Sequence, residues 1–194
     1  MKKKLLTAAL AAAVPVAAFS QSNVTLYGIA DAGVGWVDTG AKGSSSTTVV
    51  NTGYMAPTRF GIRGTEDLGS GLKAVFNIEA GVKFDTGETD AAGFFQRRAV
   101  VGLSGRFGEV LLGREYMPGY RVAALTDVMA YGLYGNWTSF HTGAGGITSR
   151  VSNGIHYTGR FAGVTIRATY ADGETTTSPH SAGDVYGLSA DYVQ

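Results

Sequence analysis

Two sets of residues in this chain could do chemistry. The first is three histidines, His141, His156 and His180, which together with many serines and aspartates could supply a nucleophile, a base and an orienting acid. A hydrolase built that way needs its nucleophile on a tight turn, yet no Gly-x-Ser-x-Gly elbow occurs, and no His-Glu-x-x-His pair for a metal. No complete Gly-x-Gly-x-x-Gly or P-loop is present to cradle a phosphate. The chain has no cysteine, which excludes Cys-type metal sites and disulfides. No cofactor or metal is expected. The second set is charge at alternate positions. Arg59, Arg63 and Thr65 oppose Phe60 and Ile62; Lys73, Asn77, Glu79 and Lys83 oppose Leu72, Ala74, Phe76, Ile78, Ala80 and Val82. Fixed charges on one face of a sheet make no bonds. In a narrow, poorly screened passage their field sorts solutes by charge, and rings of Arg or Lys favour anions.

The elements that must position these charges are strands. From Val24 to Trp36 small or apolar residues alternate with Thr25, Tyr27, Ile29, Asp31, Gly33 and Gly35, a period of two over more than ten residues. Ordinary globular strands run to five or six residues, whereas a tilted membrane strand needs about 9–11. The clearest hairpin is Arg59–Thr65, a turn at Glu66–Gly71, and Leu72–Val82. Further strands are expected at Phe94–Ser104, Glu109–Arg114, Arg150–Thr158, Gly163–Ala171 and Asp184–Val193. Residues 38–58, 84–93 and 172–183 read as polar loops. Short and long connections therefore alternate, the asymmetry of outer-membrane barrels.

The longest irregular stretch, about 115–149, carries Tyr116, Tyr120, Tyr131, Tyr134, Trp137 and Phe140, too aromatic for a solvated linker. The strand Ala99–Leu103 is apolar on both faces, so the loop is expected to fold inward and pack on it. Aromatic residues at strand ends (Tyr27, Trp36, Phe76, Phe84, Tyr157, Tyr170, Tyr192) would form interfacial girdles.

The first residues explain how such a chain reaches a membrane. Lys2, Lys3 and Lys4, an apolar run Leu5–Ala18, and small residues Ala18 and Ser20 read as a signal peptide, residues 1–20, cleaved before Gln21. No later run approaches the roughly 20 apolar residues of a helical span. If the mature chain, 21–194, meets lipid it does so as a closed sheet, which satisfies every backbone group. Twenty-nine glycines against four prolines suit short strands and tight turns. Loss of the leader's three lysines takes the formal charge from +1 to −2, and neither value suggests a nucleic-acid partner.

Several segments resemble the general porins of β-proteobacteria. Val24-Thr25-Leu26-Tyr27-Gly28-Ile29-Ala30-Asp31 resembles their first strand, and Arg59-Phe60-Gly61-Ile62-Arg63-Gly64-Thr65-Glu66-Asp67-Leu68-Gly69-Ser70-Gly71-Leu72-Lys73-Ala74 their second and third. Phe95–Gly105 and Phe107–Arg114 resemble the fourth and fifth. The resemblance implies an all-β transmembrane antiparallel barrel of 16 strands, assembled as a homotrimer in outer-membrane lipid, with its third loop folded into each lumen. It implies an outer-membrane channel for passive diffusion of small hydrophilic solutes and anions, and no enzyme. Carried over by motif, the constriction arginines would be Arg59, Arg97 and Arg150. Arg63 shares the parity of Arg59 and would line the pore with Lys73. Glu79, Glu115 and Asp127 would supply carboxylates across the lumen and a transverse field. Arg97 and Arg98 point oppositely in a regular strand, and alternation does not choose between them. The chain stops at Gln194 after about eight strands and lacks a terminal aromatic residue, so a truncated barrel is expected. A small outer-membrane structural barrel or adhesin, and a membrane-embedded hydrolase, are the alternatives.

Overall fold

The computed structural model describes residues 23–91, 93–129, 131–132, 136, 148–174, 176 and 181–192. The expected leader and its cleavage site lie outside them, as do His141, His180, Tyr134, Trp137 and Phe140. The described residues form ten strands: β1 (Asn23–Ile29), β2 (Ala32–Val37), β3 (Thr47–Thr52), β4 (Arg59–Gly69), β5 (Leu72–Gly81), β6 (Arg98–Gly105), β7 (Gly108–Tyr116), β8 (Arg150–Phe161), β9 (Val164–Ala171) and β10 (Val185–Tyr192). Among the described residues one helix, α1 (Pro118–Thr126), stands between β7 and β8. Eight strands form one antiparallel sheet in the order β1-β4-β5-β6-β7-β8-β9-β10, and β2 and β3 pair separately.

The period-two pattern segregates the two faces. Cross-strand registers put Tyr27, Arg63, Asn77, Glu79, Arg98, Leu111, Glu115, His156, Arg167 and Asp191 on one face. The other exposes Val24, Leu26, Val101, Leu103, Leu112, Ile155, Tyr186, Leu188 and Tyr192. An apolar band facing outward, with polar residues turned inward, is the barrel arrangement. The polar face is also the one α1 covers, because the helix packs on β9 and β10. Gly187 makes room for it: a Cβ there would lie 2.7 Å from Met117 Cε and 2.9 Å from Pro118 Cδ. Met117, Val151 and Ala171 form the small buried cluster beneath, with Tyr120 and Val185 against it.

Several sequence expectations shift. The run from Val24 to Trp36 is two strands, broken at Asp31. Its carboxylate accepts the backbone N–H groups of Tyr54, Met55 and Ala56 at 3.1, 2.8 and 2.8 Å. Its own N–H donates to Thr58 Oγ1 at 3.0 Å, while that hydroxyl donates to Asp31 O at 2.6 Å. This knot lifts β2 out of the main sheet, and it pairs with β3, inside a stretch expected to be loop. The first turn is tighter than expected: β4 continues to Gly69 through an irregularity between Asp67 and Gly69, leaving Ser70 and Gly71 to turn. Both have positive φ, 53° and 80°. Ala162 and Gly163 turn the β8–β9 hairpin in the same way, with φ 49° and 85°. The strand expected from Phe94 begins only at Arg98. Among the described residues α1 lies on β9 and β10 rather than on Ala99–Leu103, although Val100 is buried.

Candidate functional site

The polar face gathers its charge at the end where β6 begins and β7 ends. Glu79 and Arg98 are register partners, and the backbone N–H of Arg97 donates to Glu79 O at 3.1 Å. Arg97 thus stands just before the strand, free of its alternation, and its side chain turns to the same side as Arg98. Its Nε donates to Glu79 Oε1 at 2.8 Å. Tyr27 Oη donates to Glu79 Oε2 at 2.9 Å, and Arg59 Nε lies 3.6 Å from the same oxygen. Arg97 and Glu79 are each 5% exposed. Burying either charge alone would be costly, so the pair is held by mutual attraction and further hydrogen bonds.

A second carboxylate repeats the pattern. Glu115 accepts Arg98 Nε at 2.9 Å, Arg121 Nη2 at 2.7 Å and the N–H of Tyr116 at 2.6 Å. A third, Asp191, pairs with Arg167 across β9 and β10.

Tyr116 joins these groups. Its Oη accepts Arg97 Nη2 at 2.8 Å and Arg150 Nη2 at 2.7 Å. Arg150 Cζ lies 4.3 Å from its ring centroid and Arg121 Cζ 5.0 Å, both within cation–π range. One neutral side chain therefore assembles three guanidiniums that repel one another. Tyr116 stacks on Tyr120 at 5.1 Å, and Tyr120 on Tyr131 at 4.6 Å. The Tyr131 hydroxyl donates to Tyr120 O at 3.0 Å. Burial pushes the Tyr120 and Tyr131 phenols above their ordinary range, and a neighbouring tyrosine pushes each the same way. Arg59, Arg97, Arg98, Arg121 and Arg167 line one recess of about 400 Å³ with these rings.

A family model described as Gram-negative porin matches residues 6–194. The chain belongs to that family. It is a transmembrane β-barrel chain of the outer membrane, and its eight-stranded sheet is part of a porin barrel. It is 40% identical over 185 residues to outer membrane porin protein 32 of Delftia acidovorans, covering 91% of this chain and 51% of that one. An outer membrane porin protein of Bordetella pertussis is 41% identical over 129 residues, 59% of this chain and 34% of its own. Among solved structures, an anion-selective porin from Comamonas acidovorans superposes with a TM-score of 0.77 at 37% identity, covering 90% of this chain and 54% of that one. Salmonella typhi OmpF, in a complex with daunomycin, shares the fold at a TM-score of 0.62 and 23% identity. The chain spans about half the length of the first of these relatives and of both solved chains.

Within this porin chain, Arg59, Arg97 and Glu79 meet directly, and Arg150 joins them through Tyr116. Glu115 belongs to the same cluster. Each of these two glutamates lies against two guanidiniums, Glu79 against Arg59 and Arg97 and Glu115 against Arg98 and Arg121. Asp127 closes α1, its oxygens accepting the N–H groups of Met129 at 2.9 Å and Tyr131 at 3.2 Å. Arg63 and Lys73 share the polar face but lie farther along β4 and β5, exposed, with Arg63 Cζ 5.4 Å from the Tyr27 ring centroid. Tyr27, expected in a girdle, faces inward and hydrogen-bonds Asn77 at 2.9 Å. His156 is engaged at both nitrogens, with Thr169 Oγ1 at 3.0 Å and Gly113 O at 3.1 Å, and no serine or aspartate partner completes a triad with it among the described residues.

Sequence reasoning missed Arg121 and Arg167 and left Arg98 open. Arg167 could have been found, since it alternates with Ile166 and Ala168 in a segment already read as strand. Arg121 was harder to find: it sits on a helix whose start is marked by Pro118 alone, without a capping hydrogen bond or an acidic first turn.

Proposed function

We propose that the polar face is the wall of a water-filled channel through the outer membrane and that the arginine cluster is its narrow zone. Small hydrophilic solutes diffuse through passively, and anions pass preferentially. The observation that carries the reading is the charge balance of one cluster. Six guanidiniums, those of Arg59, Arg97, Arg98, Arg121, Arg150 and Arg167, stand with four carboxylates, those of Glu79, Asp90, Glu115 and Asp191. Arginine does not lose its proton in proteins, so the surplus is permanent. Arg63 and Lys73 extend positive charge along the wall, and Asp127 fixes the loop that narrows it. The anion-selective porin among the similar structures supports the preference.

In this reading residues 1–20 are a cleaved leader, the loop at 115–149 enters the lumen, the working form is a homotrimer, and no bond is made or broken. The test is incorporation of the outer-membrane protein into planar bilayers. Stepwise conductance that scales with bulk KCl conductivity is expected. Correctly folded protein that inserts without conducting would contradict the channel.

A further inference from the structure

The arginine-lined recess is not furnished like a passage for inorganic ions alone. Beside its five guanidiniums and Glu79 it is walled by three tyrosine rings and by Ala56, Pro57, Ala124 and Leu125. Leu125 is 57% exposed there. The Tyr116 hydroxyl already accepts from two arginines, and the Tyr131 hydroxyl is donated to Tyr120 O. Among the described residues no neutral serine, threonine, asparagine or glutamine lines the recess.

A neighbouring recess shares Pro57 and Tyr131 with it, and its furnishing is the opposite. Asn51, Thr52, Thr58 and Asn136 stand there with Lys83, Asp85 and Asp90. Tyr131 therefore borders both spaces. It is held in place from several sides: one ring face rests on Tyr120, its hydroxyl is anchored, its N–H is taken by Asp127, and its φ is +59°. A left-handed conformation is uncommon for a bulky residue and persists only where its surroundings fix it.

We propose that the arginine-lined recess is a transient binding site for anions with a flat aromatic body, arene carboxylates in particular. This deepens the channel reading and rests on it. The carboxylate exchanges its water for guanidinium N–H groups, which match it in pairs. The ring lies against tyrosine and guanidinium planes, both of which favour flat π-systems. A hydrated inorganic anion would use the charge and leave the apolar wall wet. An aliphatic acid would use the wall without the π contact.

The test is chloride current through single channels of the outer-membrane protein during titration with benzoate, cyclohexanecarboxylate or acetate. Benzoate is expected to block at about a fivefold lower concentration than cyclohexanecarboxylate, the scale of one aromatic contact, and acetate to block least. Tyr131→Leu keeps bulk and removes the π-face, so it should abolish the difference between benzoate and cyclohexanecarboxylate. Tyr131→Phe, which keeps the ring, should retain it, and serves if the leucine variant does not fold. Equal block by benzoate and cyclohexanecarboxylate, or a preference that survives Tyr131→Leu, would overturn the proposal with the anion channel intact. A channel without chloride preference would instead defeat the reading beneath it, and this proposal with it.

Discussion

Arg97 and Arg63 turn to the same side of one sheet, yet they live under opposite conditions. At the crowded end, Arg97, Arg59 and Arg98 share Glu79 and Glu115 in a half-dry cluster tied together by Tyr116. At the other end, four residues beyond Arg59 and about 13 Å along the strand, Arg63 is exposed, and Lys73 is exposed farther on. The difference shows that parity decides which charges face inward, while burial and hydrogen bonding decide which of them matter. A guanidinium pinned in a poorly screened site acts on every passing ion. A solvated one is screened within about 10 Å at ordinary salt.

The sharpest way to break that contrast is to remove a buried carboxylate. Glu79→Gln leaves the buried Arg97 with Asp90 alone, partly exposed and 3.8 Å away, a loss that approaches the roughly 3–5 kcal/mol of breaking a buried pair. The temperature at which the folded form is lost in detergent should fall well below wild type. Next comes Tyr116→Phe, which keeps the ring and removes the acceptor shared by Arg97 and Arg150. Hydrogen bonds to charged groups contribute roughly 1.5–3 kcal/mol, so the two guanidiniums should loosen. The chloride-over-potassium permeability ratio should drop, with conductance retained.

pH sharpens the comparison without a mutation. The arginines do not titrate, and the raised Tyr120 and Tyr131 phenols keep their protons to higher pH than an ordinary tyrosine. The reversal potential is therefore expected to hold steady from pH 7 to 9. A fall across that window would show that a titrating group, rather than arginine, sets selectivity. The smallest effects belong to the open end. Arg63→Ala or Lys73→Ala should change stability by less than about 0.5 kcal/mol. Any change in selectivity should fade as salt is raised.

The crowded and open ends also differ in how well the sequence announced them. Arg59, Arg63, Lys73 and Glu79 lie in unbroken alternation, so one count of parity places all four on one face. Arg97 defeats that count because β6 starts one residue later, and its direction is set by the contact with Glu79. The break at Asp31 is hidden for a similar reason: the amides that its carboxylate collects are 23 to 25 residues away. Local pattern carries no trace of a partner at that separation. The loop was recognisable as aromatic and irregular, but its stacking order was not, since Tyr116, Tyr120 and Tyr131 are brought together by a strand end, a helix and a turn. The cluster's composition was thus half visible, and the tyrosine that organises it was named only as packing.

The central claim is that permanent arginine charge in this cluster selects anions. It is tested most directly by the reversal potential across a bilayer holding the outer-membrane protein under a KCl gradient, for wild type and for Arg150→Ala, whose buried Nε has no hydrogen-bond partner among the described residues. A chloride-biased potential in the wild type, reduced in the variant, is the predicted result. A cation-biased potential, or a chloride bias that Arg150→Ala leaves unchanged, would contradict it.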